Sequence, residues 1–326
     1  MMKKSRDITL RDLFLARSAI ANSVTRTPLI ASAPGSFGSG HAVFLKLENL
    51  QTTGSFKIRG AANKLIGLTP AERQNGVVAV SSGNHGRAIS KIARQLEIKA
   101  TVCITDKVPV HKVEAMRALG ADVIIAGDNV DEAEAHALQL VAKKEMIFVN
   151  PFDDPHVIAG QGTIGLEILE DLPRVDTVIV PTSGGGLIAG IGLALKSADP
   201  ALRVVGVTME QGAAMYLSLQ AGHQVPVNEY ETLADALVGG IGLENHYSLA
   251  MCQRYVDEIV LVSEQEVGQA MAYLLREEHL VVEGGGAVGI AALLQGKVEL
   301  GEHVAVVISG GNVELELLLS IARKYN

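Results

Sequence analysis

The chain has 326 residues, of which 48% are hydrophobic and 20% are charged, and its formal net charge is -8. This acidic balance, with dispersed lysines and arginines, excludes nucleic acid and anionic membranes as expected partners. An aromatic content of 4% without tryptophan also disfavours a platform for stacking single-stranded nucleic acid. The sequence holds no apolar stretch long enough for a membrane span or a signal peptide, so we expect a cytoplasmic protein.

The length exceeds that of a comfortable single core, so we expect one large or two medium domains. The two cysteines, Cys103 and Cys252, each lie in an apolar stretch. Two cysteines make neither a disulfide framework nor a metal-ligand spacing. We therefore expect buried free thiols in a reducing compartment.

Short apolar, β-branched runs alternate with helical patterns along the chain, which predicts an α/β fold with parallel sheets. The near-continuous apolarity of these runs is typical of strands covered on both faces. A capping box with proline at the first helical position occupies 69–72. The predicted strands are 77–81, 101–104, 123–126, 147–149, 177–180, 204–208, 259–262 and 304–308, and the clearest helices are 131–144, 160–170, 264–276 and 286–294.

The best break in this alternation is 150–155, which holds two prolines and an acidic pair that we interpret as a turn. Strand-helix units lie on both sides of this break. We predict a large domain of residues 1–50 and 150–326 and a small domain of residues 51–149. Two α/β lobes that face each other would enclose a cleft, which is the usual location of a cofactor.

The lysine segment, 53–60, places Lys57 between Phe56 and Ile58, directly after a Gly-Ser turn. Apolar neighbours desolvate the ammonium form, so we expect a lowered pKa and an available free amine. A free amine forms a Schiff base with a carbonyl compound, most often pyridoxal phosphate. For the segment alone, the alternative is an amphipathic corner between a strand and a helix.

The anion turn, 81–86, reads Ser-Ser-Gly-Asn-His-Gly and follows a predicted strand. Small residues there expose backbone N–H groups at the start of a helix, which favours an anion such as a substrate carboxylate. Asn84 adds a donor and an acceptor in one side chain. A plain turn rich in capping residues is the alternative. The predicted carboxylate contacts are Ser81, Ser82, Gly83, Asn84 and His85.

The glycine loop, 181–187, also follows a predicted strand. Its three successive glycines would let the backbone wrap a phosphate group with several N–H donors. No Gly-Lys-Ser/Thr follows, so the loop is not a Walker A motif. It does match the dinucleotide fingerprint as Gly184-x-Gly186-x-x-Ala189, with Glu210 further on, and a nicotinamide cofactor is therefore a competing interpretation.

The serine segment, 309–312, follows the last apolar strand. A hydroxyl at the carboxyl end of a strand points into the crevice where α/β proteins bind their ligands. There Ser309 could form a hydrogen bond to a ring nitrogen without forcing a proton onto it. A helix N-cap is the alternative role for this residue.

Together the four segments resemble the fold-type II pyridoxal-phosphate enzymes, in the serine/threonine dehydratase and serine racemase branch. The resemblance covers nearly the whole chain. It implies two parallel-sheet α/β lobes, as in the tryptophan synthase β-subunit, with pyridoxal 5'-phosphate in the cleft between them. By resemblance Lys57 forms the Schiff base, and Phe56 lies against the cofactor ring. Asn84 bonds the 3'-oxygen of the cofactor, Ser309 bonds its pyridine nitrogen, and Glu283 lies nearby. The phosphate is bound by Gly184, Gly185, Gly186 and Leu187.

Three positions depart from the pattern of this family. Ser183 stands where the glycine loop usually begins with a fourth glycine. Ser82 replaces the alanine of threonine dehydratases; in racemase-like members this serine is the acid or base opposite the lysine, although it could also be a small turn residue. Glu210 and Ala214 match a divalent-cation site of racemase-like members, but Tyr216 replaces its last carboxylate, so we predict no metal.

The resemblance implies dehydration of a small β-hydroxy amino acid to a keto acid and ammonia. By analogy with the family, we expect a homodimer. The segments 108–116, 209–215 and 233–242 look most like hydroxyectoine-utilisation dehydratases. No regulatory domain is expected after the catalytic unit. The alternatives are a threonine/serine dehydratase with serine racemase activity, a nicotinamide-dependent dehydrogenase, and a non-catalytic amino-acid-binding protein.

Overall fold

The protein folds around two sheets, according to a computed structural model that describes residues 7–33, 36–38, 40–81, 83–242 and 244–325. Within these ranges the strands are β1 (Leu29–Ala31), β2 (Ala42–Leu47), β3 (Val77–Val80), β4 (Ala100–Ile104), β5 (Asp122–Ile125), β6 (Ile147–Phe148), β7 (Thr177–Pro181), β8 (Arg203–Met209), β9 (Glu258–Val262) and β10 (His303–Ile308).

Helices cover the faces of both sheets. Within the described ranges they are α1 (Leu10–Ile20), α2 (Lys57–Ile66), α3 (Pro70–Asn75), α4 (Asn84–Gln95), α5 (Val110–Ala118), α6 (Val130–Lys144), α7 (Pro155–Asp171), α8 (Gly186–Ala198), α9 (Ala214–Ala221), α10 (Ser248–Tyr255), α11 (Glu264–Arg276), α12 (Gly284–Leu294) and α13 (Leu315–Lys324). None of these described helices is both long and apolar enough to cross a membrane.

The larger sheet has the strand order β1-β2-β10-β7-β8-β9 and the smaller one β5-β4-β3-β6. All pairs are parallel except β1 with β2. The predicted α/β fold with two parallel-sheet lobes is therefore confirmed. The domain boundaries given above stay a prediction.

The eight predicted strands are present, each displaced by no more than about a residue at either end. Two strands were missed, β1 and β2. β1 is a short antiparallel edge strand, and the apolar run of β2 is interrupted by a lysine, Lys46, that the fold buries completely. Helix α7 begins earlier than predicted, because Asp154 caps it and Pro155 occupies its first position.

Helix α2, which begins at Lys57, packs closely on α7. A Cβ atom added to Gly160 of α7 would lie 2.6 Å from the carbonyl oxygen of Arg59 and 2.7 Å from Cα of Gly60. Only hydrogen at this position lets the two backbones approach so closely. The first turn of α2 is thereby held against a long helix of the larger lobe.

A buried ion network holds the same turn of α2. The guanidinium of Arg59 binds Glu48 through two contacts of 2.8 Å, and it binds Glu167 through contacts of 2.6 and 2.9 Å. Lys46 adds a contact of 2.7 Å from Nζ to Glu167. Burial alone would raise the pKa of Glu48, but Arg59 outweighs it and keeps that pKa below its usual range. Two cations therefore neutralise two carboxylates inside the protein.

Replacement of Arg59 by methionine is expected to destabilise the protein strongly. The change leaves Glu48 and Glu167 buried with one fewer cation, and breaking a buried pair in this way costs about 3–5 kcal/mol of unfolding free energy. Urea denaturation of the wild type and of Arg59→Met would measure the loss. The matched control is Arg17→Ala, which breaks the exposed ion pair with Glu170 and should cost about 0–1 kcal/mol. Equal losses in the two variants would contradict the anchoring role of the network.

Candidate active site

Lys57 lies at the first position of α2. Its Nζ donates a hydrogen bond of 2.9 Å to the carbonyl oxygen of Pro151 and lies 5.2 Å from the ring centroid of Phe56. Burial lowers the pKa of Lys57 to about 8, and the nearby charge of Glu283 offsets this only in part. About one tenth of this lysine is therefore a free amine at pH 7, far more than for an ordinary lysine.

The lysine segment runs beside the serine segment. The N–H of Phe56 donates to the carbonyl oxygen of Ser309 at 3.0 Å, and the N–H of Gly311 donates to that of Gly54 at 2.9 Å. Ser55 and Gly310 form an antiparallel bridge between these bonds. The backbone thus brings together two segments that are separated by most of the chain.

The anion turn leads into helix α4, and its backbone N–H groups differ in whether they already have a hydrogen-bond partner. The N–H of Ser81 is engaged by the carbonyl of Cys103, while its Oγ accepts the N–H of Gly83 at 3.3 Å and of Gly86 at 3.0 Å. The first-turn N–H groups of Asn84 and His85 have no carbonyl partner within the helix, which suits them to an anion. Ser82, the predicted acid or base, lies outside the described residues.

His85 is a buried neutral imidazole. Burial, together with the charge of Lys57, lowers the pKa of His85 to about 3. Its Nε2 lies 2.9 Å from the carbonyl oxygen of Val149, which can only accept, so the proton is on Nε2. The side chain therefore adds no charge to the anion turn, and the contribution of His85 to binding an anion is that of its backbone.

Asn84 contacts Glu283. The Nδ2 of Asn84 donates to Oε1 of Glu283 at 2.6 Å, and Asn312 donates to the Oδ1 of Asn84, also at 2.6 Å. Burial raises the pKa of Glu283 to about 7, and the negative charge of Asp235 adds to this effect, whereas the hydrogen bond from Asn84 opposes it.

The glycine loop connects β7 to α8 and is tightly packed. Gly185 has a φ of +85°, which favours glycine, and it caps the N-terminus of α8. A Cβ on Gly184 would lie 2.3 Å from the ring of Phe152, and one on Gly186 would lie 2.5 Å from the carbonyl oxygen of the same residue. Side chains are thus excluded from a loop whose N–H groups and helix dipole suit a phosphate.

Ser309 follows β10 and is buried. Its Oγ makes one long contact, of 3.5 Å, to the carbonyl oxygen of Gly285. A contact of this length is weak, so the hydroxyl keeps the capacity to bond a ligand atom.

Direct contacts therefore link the lysine segment, the serine segment and the anion turn, and the stretch 151–152 connects the glycine loop to them. Pro151 accepts from Lys57, and the adjacent Phe152 packs on the glycine loop. These contacts bring together a reactive amine, an anion cradle, an amide and a hydroxyl. This donor set fits pyridoxal 5'-phosphate, which offers an aldehyde, a phosphate, a phenolic oxygen and a ring nitrogen.

The two residues that match a divalent-cation site of racemase-like members, for which we predict no metal here, stand apart from these contacts. Glu210 is exposed at the end of β8, 3.9 Å from Nζ of Lys297, and Ala214 begins α9. Across the part of the chain that the structure describes, no three metal-binding side chains of the His, Cys, Asp or Glu type come together.

Sequence reasoning missed several residues that shape the site. The sequence predicts a break at 150–155, yet this stretch carries Pro151, Phe152 and Asp153. The carboxylate of Asp153 accepts the backbone N–H groups of 246–248 and so caps the start of α10. The two prolines in this stretch favour a turn, so they gave no indication of these contacts. Asn312 lies in the serine segment, but the sequence analysis assigns it no role, although a polar amide shortly after a strand end is a usable signal.

Comparison with known proteins agrees with this geometry. The family described as pyridoxal-phosphate dependent enzyme matches residues 20–310. The L-threonine ammonia-lyase of Thermotoga maritima is 45% identical over 317 residues, which are 97% of this chain and 79% of that protein. The catabolic L-threonine dehydratase of Escherichia coli K12 is 41% identical over 317 residues, which are 96% of each chain.

Among solved structures, maize serine racemase superposes with a TM-score of 0.90 at 30% identity, over 98% of both chains. The nicotinamide interpretation of the glycine loop is not supported by any of these likenesses. The chain belongs to the pyridoxal-phosphate dependent enzyme family, in its fold-type II branch of threonine dehydratases and serine racemases.

Proposed function

We propose that this lyase removes water from a small β-hydroxy amino acid and yields a keto acid and ammonia. The observation that carries the proposal is the free amine of Lys57, buried beside an anion turn and a glycine loop. The names of the relatives from T. maritima and E. coli support threonine as a substrate. We also propose that it acts in the cytoplasm as a homodimer.

Within this class, three segments favour a more specialised role. The stretches 108–116, 209–215 and 233–242 are similar to those of hydroxyectoine-utilisation dehydratases. We therefore include a hydroxyectoine-derived amino acid and a hydroxyaspartate among the candidate substrates, beside threonine and serine.

The residues that would hold pyridoxal phosphate follow from the geometry. Backbone N–H groups of 184–187 would bind its phosphate, Ser309 its ring nitrogen and Asn84 its 3'-oxygen, with Phe56 against the ring and Lys57 as the covalent link. When bound, the cofactor supplies an electron sink for the pair released by cleavage of the Cα–H bond.

Lys57 performs the proton transfer in this proposal. With a pKa of about 8, a fraction of the Lys57 amine is unprotonated near neutral pH. The free amine removes the Cα proton as a general base. The backbone N–H groups of Asn84 and His85 would bind the substrate carboxylate. The imidazole of His85 is neutral and so adds no charge of its own at this site. The β-hydroxyl would leave as water with the proton that Lys57 took from Cα, and water would then hydrolyse the released enamine to the keto acid and ammonia.

A lysine variant and a substrate panel test the reaction. The purified protein should absorb near ~410–420 nm, and borohydride should remove this band and label Lys57. Assays of keto-acid release with the four candidate substrates should show turnover, and Lys57→Ala should lower it by about 10³-fold or more. Lys64→Ala, on the same helix, is the control and should keep full turnover. A colourless protein, or full turnover by Lys57→Ala, would contradict the proposal.

The pH dependence of covalent loading tests the environment of Lys57. Only the unprotonated amine attacks an aldehyde, so the rate at which the apoprotein bonds to pyridoxal phosphate should rise with pH and level off above about 8. Glu283→Gln removes a charge that stabilises the ammonium form, and it should move the midpoint to lower pH. The exposed Glu277→Gln is the control. A midpoint near that of an ordinary lysine, in stopped-flow absorbance, would contradict the desolvation of Lys57.

A second activity is proposed because the fold matches serine racemase at a TM-score of 0.90 and because Ser82 replaces alanine in the anion turn. Ser82→Ala should keep the dehydration of L-amino acids and abolish racemisation and the use of D-amino acids. Chiral chromatography of L- and D-serine incubated with each protein would measure both. Unchanged activity on both enantiomers would reduce Ser82 to a turn residue.

A further inference from the structure

Asn312 joins three segments of the site through its hydrogen bonds. Its Nδ2 donates to the carbonyl oxygen of Thr53 at 2.9 Å and to Oδ1 of Asn84 at 2.6 Å. Its backbone N–H donates to Oε2 of Glu283 at 3.0 Å. The absence of a side chain at Gly54 makes room for it, since a Cβ there would lie 2.4 Å from Oδ1 of Asn312.

The donors and acceptors in this chain of hydrogen bonds can be arranged in only one way. A backbone carbonyl can only accept, so the oxygen of Thr53 requires the amino group of Asn312 to face it. The same amino group then donates to the oxygen of Asn84, which turns the amino group of Asn84 towards the carboxylate of Glu283. Rotation of either amide by half a turn would set two acceptors against each other.

We infer that Asn312 is a positioning residue that fixes the orientation of the Asn84 amide before the cofactor binds. The inference rests on the proposed contact of Asn84 with the 3'-oxygen of the cofactor. One N–H of the Asn84 amino group is bonded to Glu283, and the other remains for that oxygen. Because Asn312 is also bonded to Thr53, it couples the orientation of Asn84 to the segment that carries Lys57.

The test compares two substitutions whose order of effect separates orientation from packing. Asn312→Asp keeps the shape of the side chain but sets a carboxylate against the oxygens of Thr53 and Asn84, whereas Asn312→Ala only removes the contacts. If orientation matters, the aspartate variant is the more damaged. If the side chain only fills space, the alanine variant is.

Affinity for pyridoxal phosphate is measured by titration of each apoprotein, together with the position of the visible absorbance band. Asn312→Ala should weaken affinity about fivefold, the factor of one neutral hydrogen bond, and Asn312→Asp should weaken it more. Both should shift the band. The reverse order, or wild-type values for both, overturns the inference. These readouts need no turnover, so failure of the proposed reaction leaves the test intact.

Two controls make the outcome specific. Asn129→Ala removes an exposed cap of α6, so it lowers the melting temperature without changing cofactor affinity. The melting temperature of each apoprotein shows whether it is folded, and Asn312→Ser replaces Asn312→Ala if the latter is not.

Asn84→Ala separates this inference from the role proposed for Asn84. In the double variant with Asn312→Ala, the loss of affinity should equal that of Asn84→Ala alone, because Asn312 acts through Asn84. Additive losses overturn the inference. If Asn84→Ala itself leaves affinity and band unchanged, the proposed role of Asn84 fails, and the inference with it. If Asn84→Ala changes them and the Asn312 variants do not, the inference alone fails.

Discussion

The buried ion network of Arg59 with Glu48, Glu167 and Lys46 is the constraint on which the geometry of the site depends. Charges removed from water add little net stability compared with apolar residues of the same volume. Any arrangement that separates them, however, leaves an unpaired charge in the interior. The network therefore permits essentially one placement of α2, and Lys57 lies two residues before Arg59, at the first position of the helix.

Lys57 and Arg59 lie on one helical turn, and their different partners decide in which direction the pKa of each is shifted. Burial alone would lower the pKa of Arg59, but the carboxylates of Glu48 and Glu167 outweigh it and raise that pKa above its ordinary value. Lys57 experiences the same desolvation with a carbonyl oxygen as its partner, and its pKa falls. The fold thus keeps the arginine as a permanent charge that anchors the helix and the lysine as an amine that can react.

The features that repeat locally could be predicted from the sequence, and those that join distant residues could not. Apolar runs and glycine-rich turns revealed the strands and the segments around the cleft, because they depend on neighbours in the chain. The partners of Arg59 could not be found this way, since Glu167 lies 108 residues further on and carries no motif. Asp153 had been interpreted as part of a turn, although its carboxylate caps a helix more than ninety residues away.

Every charge of the Arg59 network is balanced by another side chain of the same polypeptide, and α2 also packs on α7 through backbone and side-chain contacts at Gly60 and Gly160. The helix that carries Lys57 is therefore anchored by groups of the polypeptide itself and needs no bound group to balance these charges.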